Sequence, residues 1–242
     1  GPLGYEGQSR SGAVLVELKG GFGEEDLNDL DTATYYAKRG KLAYLNEVSG
    51  YTRYTALTCA CKKGCSEMVE CLLAAGADTE KVSTYGWTPL IEAAMYGHVE
   101  VVRLLLSAGA DTEKADRHGG TPLTKAARGG HVEVVRLLLS AGADTEKSDR
   151  YSHTPLTWAA GRGDVEVVRL LLSAGADTEK ADSDDRTPLI CAASGVHVEV
   201  VRLLLSAGAD TEKADSDGYT PLHIASEKNH VEIFKLLQQA DQ

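Results

Sequence analysis

The sequence predicts an all-α fold, a solenoid of stacked helix-turn-helix units with projecting β-turn loops and atypical capping ends. The tripeptide Thr-Pro-Leu recurs every 33 residues, at Thr88, Thr121, Thr154, Thr187 and Thr220. The seventeen-residue segment HVEVVRLLLSAGADTEK begins at residues 98, 131 and 197. A fourth copy begins at residue 164 and differs only in its first residue, Asp164. A fixed period of this length is typical of repeat architectures, in which each unit buries its apolar face against its neighbours.

The unit that begins near residue 116 shows why each unit is predicted to form two short helices. Thr121 suits an N-cap, and Pro122 suits the first helical position, where its missing N–H costs nothing. The first helix is expected to break near Gly129 and Gly130. The second helix carries an apolar stripe at helical spacing, predicted at Val132, Val135, Leu138 and Leu139. Gly142 follows this stripe and suits a left-handed C-cap.

The sequence predicts six units in tandem over residues 55–242, starting near residues 50, 83, 116, 149, 182 and 215. The last unit is expected to act as a C-terminal cap. Residues 25–54 do not fit the 33-residue frame, and we expect two short helices there to form an N-terminal cap. Residues 1–24 are expected to be a protease remnant, Gly-Pro-Leu-Gly, followed by a flexible lead. Repeat stacks need atypical ends because a terminal unit has one apolar face without a neighbour.

These units resemble the ankyrin repeat family. The period, Thr-Pro-Leu, the paired alanines, the Gly-His before the second helix and the LLLSAGAD segment all carry the resemblance. It implies a curved stack that holds protein partners on a concave face formed by loop tips and first helices. The chain departs from the family pattern in its loops, where glutamate replaces the usual asparagine at Glu113, Glu146, Glu179 and Glu212.

Differences among the units are concentrated at three loop-tip positions and three first-helix positions. The exposed face of the second helix is identical from unit to unit, which indicates recent copying and argues against neutral drift as the source of the differences. Aromatic residues, Met and Arg dominate interface hot spots. We therefore expect the partner-binding residues to be Tyr85, Trp87, Met95, Tyr96, Arg117, His118, Lys125, Arg128, Arg150, Tyr151, His153, Trp158, Arg162, Arg186 and Tyr219.

Charge indicates the kind of partner. The chain has a net charge of −11, which argues against a nucleic-acid partner. Its central units nevertheless present basic and aromatic residues at the variable positions, which suit a protein with an acidic or mixed acidic and apolar surface. No apolar run approaches the ~20 residues of a membrane span. We expect a monomer that binds protein and neither nucleic acid nor membrane.

No pattern in the sequence predicts catalysis, a cofactor or a metal site, and we expect that the protein is not an enzyme. Neither a phosphate-binding glycine loop nor a His-Glu-x-x-His zinc motif occurs. Four of the five cysteines lie within thirteen residues, at Cys59, Cys61, Cys65 and Cys71, with Cys191 apart. Their spacing matches no common zinc pattern. Zinc and a local disulfide stay open, but free thiols are favoured, with Cys61 and Cys71 in the core.

Free thiols favour a reducing compartment, the cytoplasm or nucleus. That compartment can belong to a host cell into which the protein is secreted. Three roles fit a protein whose central repeats share identical second helices but differ in their loop tips and first helices. We favour a protein-interaction effector of an intracellular pathogen acting on a host protein. A selected synthetic ankyrin binder and a scaffold or regulatory subunit of an intracellular complex are the alternatives.

Overall fold

The computed structural model describes residues 54–240, so the predicted lead and nearly all of the predicted N-terminal cap lie outside the described residues. Twelve helices and no strand occur within this range, in six helix-turn-helix pairs, which confirms the all-α repeat fold. The helices are α1 (Ala56–Lys63), α2 (Ser66–Ala74), α3 (Pro89–Tyr96), α4 (Val99–Ser107), α5 (Pro122–Gly129), α6 (Val132–Ser140), α7 (Pro155–Arg162), α8 (Val165–Ser173), α9 (Pro188–Ser194), α10 (Val198–Ser206), α11 (Pro221–Glu227) and α12 (Val231–Ala240).

The chain divides into two compact units. Among the described residues, the first consists of 54–93 and 100–111, and the second of 94–99 and 112–240. The described part of the first unit holds α1, α2 and most of α3 and α4, and the second holds α5 to α12. Between residues 54 and 240, no helix is both long enough and apolar enough to span a lipid bilayer.

The first helices of repeats three to six begin as the sequence predicts, at a threonine N-cap followed by proline. In repeat four, the Thr154 hydroxyl accepts a hydrogen bond of 3.2 Å from the backbone N–H of Thr157, and Pro155 is the first helical residue. The helix ends at Gly163, which adopts the left-handed conformation with φ of 78°. The same features recur in repeat three, where Thr121 is the predicted N-cap and α5 ends at the predicted break, with Gly130 left-handed.

In the second unit, the first helices α5, α7, α9 and α11 pack on one another in chain order, and so do the second helices α6, α8, α10 and α12. The paired alanines of the first helices have no exposed surface, at Ala126, Ala127, Ala159, Ala160, Ala192 and Ala193. Because Ala has the smallest apolar side chain, neighbouring helices can approach closely along this row.

The apolar stripe of the second helix differs from the prediction. In α6 the fully buried residues are Val134, Val135 and Leu138, whereas Val132 and Leu139 are half-buried. The helix begins at Val132, so this residue lies at the start of the first turn, where it is only half-buried. The buried stripe therefore starts two residues later than predicted.

Two recurring residues join neighbouring repeats of the second unit: a histidine, which Asp164 replaces in repeat four, and a loop glutamate. The His131 ring lies 3.0 Å from the carbonyl oxygen of Met95, and the His197 ring lies 3.1 Å from that of Gly161. In the loops, the Glu146 carboxylate accepts a 3.0 Å hydrogen bond from the backbone N–H of Asp177. The same bond joins Glu113 to Asp144 and Glu179 to Asp210. This glutamate is therefore repeated because it holds adjacent loops together, so its identity needs no explanation by recent copying.

Candidate partner-binding face

Each loop tip of the second unit is fixed by an aspartate at its first position. In repeat four, one carboxylate oxygen of Asp149 accepts hydrogen bonds from the backbone N–H groups of Tyr151 at 2.9 Å and His153 at 3.1 Å. Asp116 and Asp182 make the equivalent pairs of bonds in repeats three and five. An aspartate that bonds its own backbone in this way produces a tight turn.

Backbone hydrogen bonds join neighbouring loop tips. The N–H of Arg150 donates to the carbonyl of His118 at 2.7 Å, and the N–H of Ser183 donates to that of Tyr151 at 2.9 Å. Because the backbone makes these bonds, they place no demand on the side chains at the same positions. The residues there can vary from repeat to repeat without loss of the loop architecture.

The second oxygen of the loop aspartate binds a residue at a variable position. Lys125 Nζ lies 2.7 Å from Asp116, the indole N–H of Trp158 donates to Asp149 at 3.1 Å, and Arg186 Nε donates to Asp182 at 3.0 Å. The sequence-based expectation assigned Lys125, Trp158 and Arg186 to a partner and missed these aspartates. The sequence does carry a signal for these aspartates. An Asp recurs at the same position of repeats three, four and five, ten residues or fewer before a side chain that can donate a hydrogen bond.

The Lys125–Asp116 pair is partly withdrawn from solvent, since the Asp116 side chain is fully buried and that of Lys125 is 14% exposed. Burial acts to raise the pKa of Asp116, but hydrogen bonds from Lys125 and from the backbone of Gly120 and His118 outweigh it and lower the pKa. Asp116 is therefore charged near neutral pH, and the pair contributes to the stability of the fold.

Two arginines of this face rest on aromatic rings. The Arg128 guanidinium carbon lies 4.5 Å from the centroid of the Trp158 ring, and that of Arg150 lies 4.6 Å from the centroid of the Tyr151 ring. Arg150 also donates hydrogen bonds to His118 Nδ1, at 3.0 Å, and to the Tyr151 hydroxyl. Such cation–π contacts restrict the motion of a guanidinium, and neither arginine has a carboxylate partner among residues 54–240.

These side chains enclose a groove of about 400 Å³ between the loop tips and the first helices of repeats three and four. We call it the basic groove. Its lining residues are His118, Lys125, Arg128, Asp149, Arg150, Tyr151, His153 and Trp158. Three cations face one carboxylate in this groove, and that carboxylate is already engaged by Trp158 and the loop backbone. The groove is therefore suited to an anionic ligand.

His153 lies at the floor of the same region. Its ring centroid is 4.5 Å from that of Trp158, its Nδ1 is 3.4 Å from Asp149, and its Nε2 is 3.3 Å from Asp182. The imidazole therefore connects the loops of repeats four and five.

The remaining predicted residues of the second unit are less closely grouped. Arg162 lies 3.0 Å from Asp164, so its charge is paired within the chain. Arg117 is exposed, and Tyr219 lies in the loop tip of repeat six, at the other end of the unit. The exposed Tyr96 ring stacks against His98, with centroids 6.2 Å apart. The half-buried Met95 contributes a backbone carbonyl to His131.

In the first unit, the predicted residues Tyr85 and Trp87 form part of an aromatic cluster. Their ring centroids are 5.2 Å apart, and the Tyr85 centroid is 6.0 Å from that of Tyr54. Below them, Glu92 is completely buried, and neither of its carboxylate oxygens has a hydrogen-bond partner. Burial raises the pKa of Glu92 to about 7, although the positive charge of Lys62 acts to lower it. The sequence-based expectation did not single out this carboxylate.

The five cysteines are free thiols. Cys61 is buried as predicted, but the expectation that Cys71 faces the core is wrong, because Cys71 is half-buried and Cys59 is the second buried thiol. The leucines that take the place of Cys71 in later repeats are also half-buried, as at Leu137, so this position borders the core rather than filling it. Among residues 54–240, no group of three or more His, Cys, Asp or Glu side chains is placed to hold a metal ion.

Comparison with known families agrees with the repeat geometry. A family model for ankyrin repeats, in three copies, matches residues 26–116, 108–182 and 174–242. A comparison with curated proteins returns no match. Ankyrin repeats are generally protein–protein interaction modules without catalytic activity, and they typically bind protein partners. The matched segments extend over most of the chain, which therefore belongs to the ankyrin repeat family.

Proposed function

We propose that this protein is a non-catalytic interaction module that binds a partner protein. The binding face is formed by the loop tips and first helices, and we expect this face to be concave. The observation that carries the proposal is the basic groove, where Arg128 and Arg150 have no carboxylate partner within residues 54–240 and lie on the rings of Trp158 and Tyr151. Arginine and aromatic side chains held in place before binding lose little entropy when a partner docks. The expected partner surface is acidic or mixed acidic and apolar.

The predicted binding residues form two groups under this proposal. The second unit contributes the basic groove together with Met95, Tyr96, Arg117, Arg162, Arg186 and Tyr219. The first unit contributes Tyr85 and Trp87, whose rings are partly exposed. Lys125, Trp158 and Arg186 have a double role in this account, because each also bonds a loop aspartate.

The biological setting favoured by the sequence is an effector that a pathogen delivers to a host cell. The protein would then act as a monomer in a reducing compartment, the cytoplasm or the nucleus. A selected synthetic binder and a scaffold or regulatory subunit use the same face, so the choice among them rests on the identity of the partner.

The experiment that tests the proposal compares two charge reversals in the full-length protein. Arg128→Glu with Arg150→Glu alters the basic groove. Arg136→Glu with Arg169→Glu makes the same change in charge on the second helices α6 and α8, where both arginines are exposed. Proteins captured from host lysate by the wild type are quantified by mass spectrometry. The proposal predicts that the first variant loses the partner and the second retains it, and the opposite pattern would refute it.

A further inference from the structure

The face formed by loop tips and first helices changes sign along the second unit. In repeats three and four, the variable positions carry Arg117, Lys125, Arg128, Arg150 and Arg162. In repeats five and six, the same face carries Asp184, Asp185, Asp217 and Glu227, together with Arg186 and Lys228. A single acidic partner surface would complement the first half of this face and be repelled by parts of the second.

A second groove, of about 410 Å³, lies between the loop tips and first helices of repeats five and six. We call it the acidic groove. The charged residues in its lining are Asp184, Arg186, Asp215, Asp217, Glu227 and Lys228. Four carboxylates thus face two cations, a net charge of −2, whereas the basic groove has three cations and one carboxylate, a net charge of +2. The two grooves are of similar size and opposite charge.

Ion pairing within the chain sharpens this contrast. In the acidic groove, Arg186 is held between Asp182 at 2.9 Å and Asp184 at 3.1 Å, so its charge is already neutralised. Asp217 and Glu227 are exposed and have no cationic partner among residues 54–240. Lys228 Nζ bonds the Ser194 hydroxyl at 3.0 Å. The carboxylates without a partner are therefore available to a basic ligand.

In the basic groove, two of the three cations have no carboxylate partner in the described part of the chain. Lys125 is paired with the buried Asp116 at 2.7 Å. Arg128 and Arg150 are the groove's cations without a carboxylate partner in the described part of the chain, and both guanidinium groups are held against rings. Arg128 and Arg150 at one end of the face, and Asp217 and Glu227 at the other, thus have no oppositely charged partner among residues 54–240, and the Lys228 charge in the acidic groove offsets one of the two carboxylates.

A third groove, of about 350 Å³, lies between these two. We call it the central groove. Small or apolar groups make up much of its lining, including the Trp158 ring, Cys191, Gly161 and Gly195. Arg162 and Arg186 also line it, but each is paired with an aspartate of the chain, Asp164 and Asp182 respectively. Burial raises the pKa of Cys191 to about 12, so this thiol is uncharged at neutral pH. The central groove suits an uncharged, apolar side chain.

We propose that the second unit binds one extended segment of its partner in which acidic residues, an apolar residue and basic residues follow one another along the chain. The acidic residues occupy the basic groove, the apolar side chain enters the central groove, and the basic residues occupy the acidic groove. This inference rests on the proposed function and adds the charge order of the ligand. The two charged grooves are two repeats apart, roughly 20 Å at the usual spacing of packed helices. An extended chain covers that distance with about six residues.

Fluorescence polarisation with the full-length protein and labelled synthetic peptides tests the charge order. The block peptide has three Glu, five neutral residues with a central Leu, and three Lys. The alternating peptide contains the same residues with Glu and Lys interleaved, and an acidic peptide replaces every Lys by Glu. The inference predicts that the block peptide binds at least about ten-fold more tightly than either control, since opposed charges at close quarters contribute strongly to discrimination. Equal affinities, tighter binding of the acidic peptide, or no binding of the block peptide would overturn it.

Variants of the protein test which groove each end of the block peptide occupies. Arg128→Glu with Arg150→Glu, and separately Asp217→Lys with Glu227→Lys, should each weaken the block peptide at least ten-fold. The matched control on the second helices, Arg136→Glu with Arg169→Glu, should leave its affinity unchanged. A block peptide that is insensitive to the Asp217 and Glu227 changes overturns the inference.

The partner-capture assay separates this inference from the proposed function. If the intact partner is lost with the Arg128 and Arg150 changes but retained with the Asp217 and Glu227 changes, the binding face stands and the charge order is wrong. If neither double variant affects capture, the proposed function itself fails. Loss of the partner with both double variants supports the two together.

Discussion

The indole N–H of Trp158 donates a hydrogen bond of 3.1 Å to Asp149, the carboxylate that also fixes the loop tip of its repeat. Trp158, at a position that varies among repeats, is thus held in place by Asp149, at a position where every loop tip of the second unit has Asp. Arg128 then lies on the outer face of the same indole ring. The groove is organised in the absence of a partner, which reduces the ordering cost of binding.

Replacement of Trp158 tests its role as an anchor. We expect Trp158→Ala to weaken binding of the captured partner by about 2 kcal/mol or more, roughly thirty-fold, as is typical of a tryptophan hot spot. Trp87→Ala makes the same test in the first unit. Titration calorimetry measures the affinity. Wild-type affinity in a variant would remove that tryptophan from the binding face.

The hydrogen bond of Trp158 can be separated from its ring. Trp158→Phe retains an aromatic face for Arg128 but removes the donor to Asp149, so we expect a loss of about 1 kcal/mol in the free energy of unfolding. Urea denaturation measures it. An unchanged unfolding free energy would show that the bond to Asp149 contributes little.

The buried pair of Lys125 and Asp116 predicts a dependence of stability on pH. The folded-state pKa of Asp116 lies below its ordinary value of 3.8, so its contribution is complete above pH 3.8 and is lost as the pH falls through the folded-state pKa. We expect Asp116→Asn to be less stable than wild type by about 2–3 kcal/mol at pH 7. The difference should narrow in acid, whereas the exposed Asp217→Asn should show little difference at any pH. A deficit that stays constant from pH 7 to pH 2 would contradict the account.

Glu92 predicts the opposite dependence in the first unit. Burial raises its pKa from 4.5 to about 7, so the folded state favours the neutral acid. Stability is therefore full below pH 4.5 and falls as the pH rises to 7, by roughly 3 kcal/mol in all. We expect Glu92→Gln to match wild type at pH 4.5 and to exceed it at pH 8, as measured by urea unfolding. Glu227→Gln, at an exposed position, is the control, and a Glu92→Gln effect that does not vary with pH would show that the carboxylate is not the cause.

Two glycines separate backbone strain from a steric clash. Gly163 and Gly175 are both left-handed, with φ of 78° and 87°. A Cβ at Gly163 would lie 2.2 Å from the His197 ring, whereas one at Gly175 would meet nothing within 4 Å. We expect Gly175→Ala to destabilise the fold by about 1–2 kcal/mol and Gly163→Ala by a further 1–3 kcal/mol or so, because the His197 ring must move. Similar melting temperatures for the two variants would exclude a tight contact between repeats at this point.

The sequence was sufficient for the repeat fold because local rules act in every unit. Thr121 and Pro122 define the start of a helix through the chemistry of a single turn, and Gly142 defines an end in the same way. The buried stripe was placed less well, since the period alone does not reveal that α6 begins at Val132 and buries Val134 instead.

The candidate face was harder to predict because side-chain pairing across a loop is not visible in a one-dimensional pattern. Arg128 and Arg162 hold adjacent variable positions of the first helix, yet Arg162 is paired with Asp164 while Arg128 lies on Trp158. The charge order of the two grooves likewise depends on which carboxylates have partners. Asp182 is neutralised by Arg186, whereas Asp217 is not.

Radical footprinting of side chains in the complex with the captured partner tests the central claim most directly. Trp158 and Tyr151 represent the loop-tip and first-helix face, and the half-buried Leu170 and Leu203 represent the second helices. The account predicts that binding lowers the labelling of Trp158 and Tyr151 and leaves Leu170 and Leu203 unchanged. Protection of the two leucines with full labelling of Trp158 and Tyr151 would contradict it.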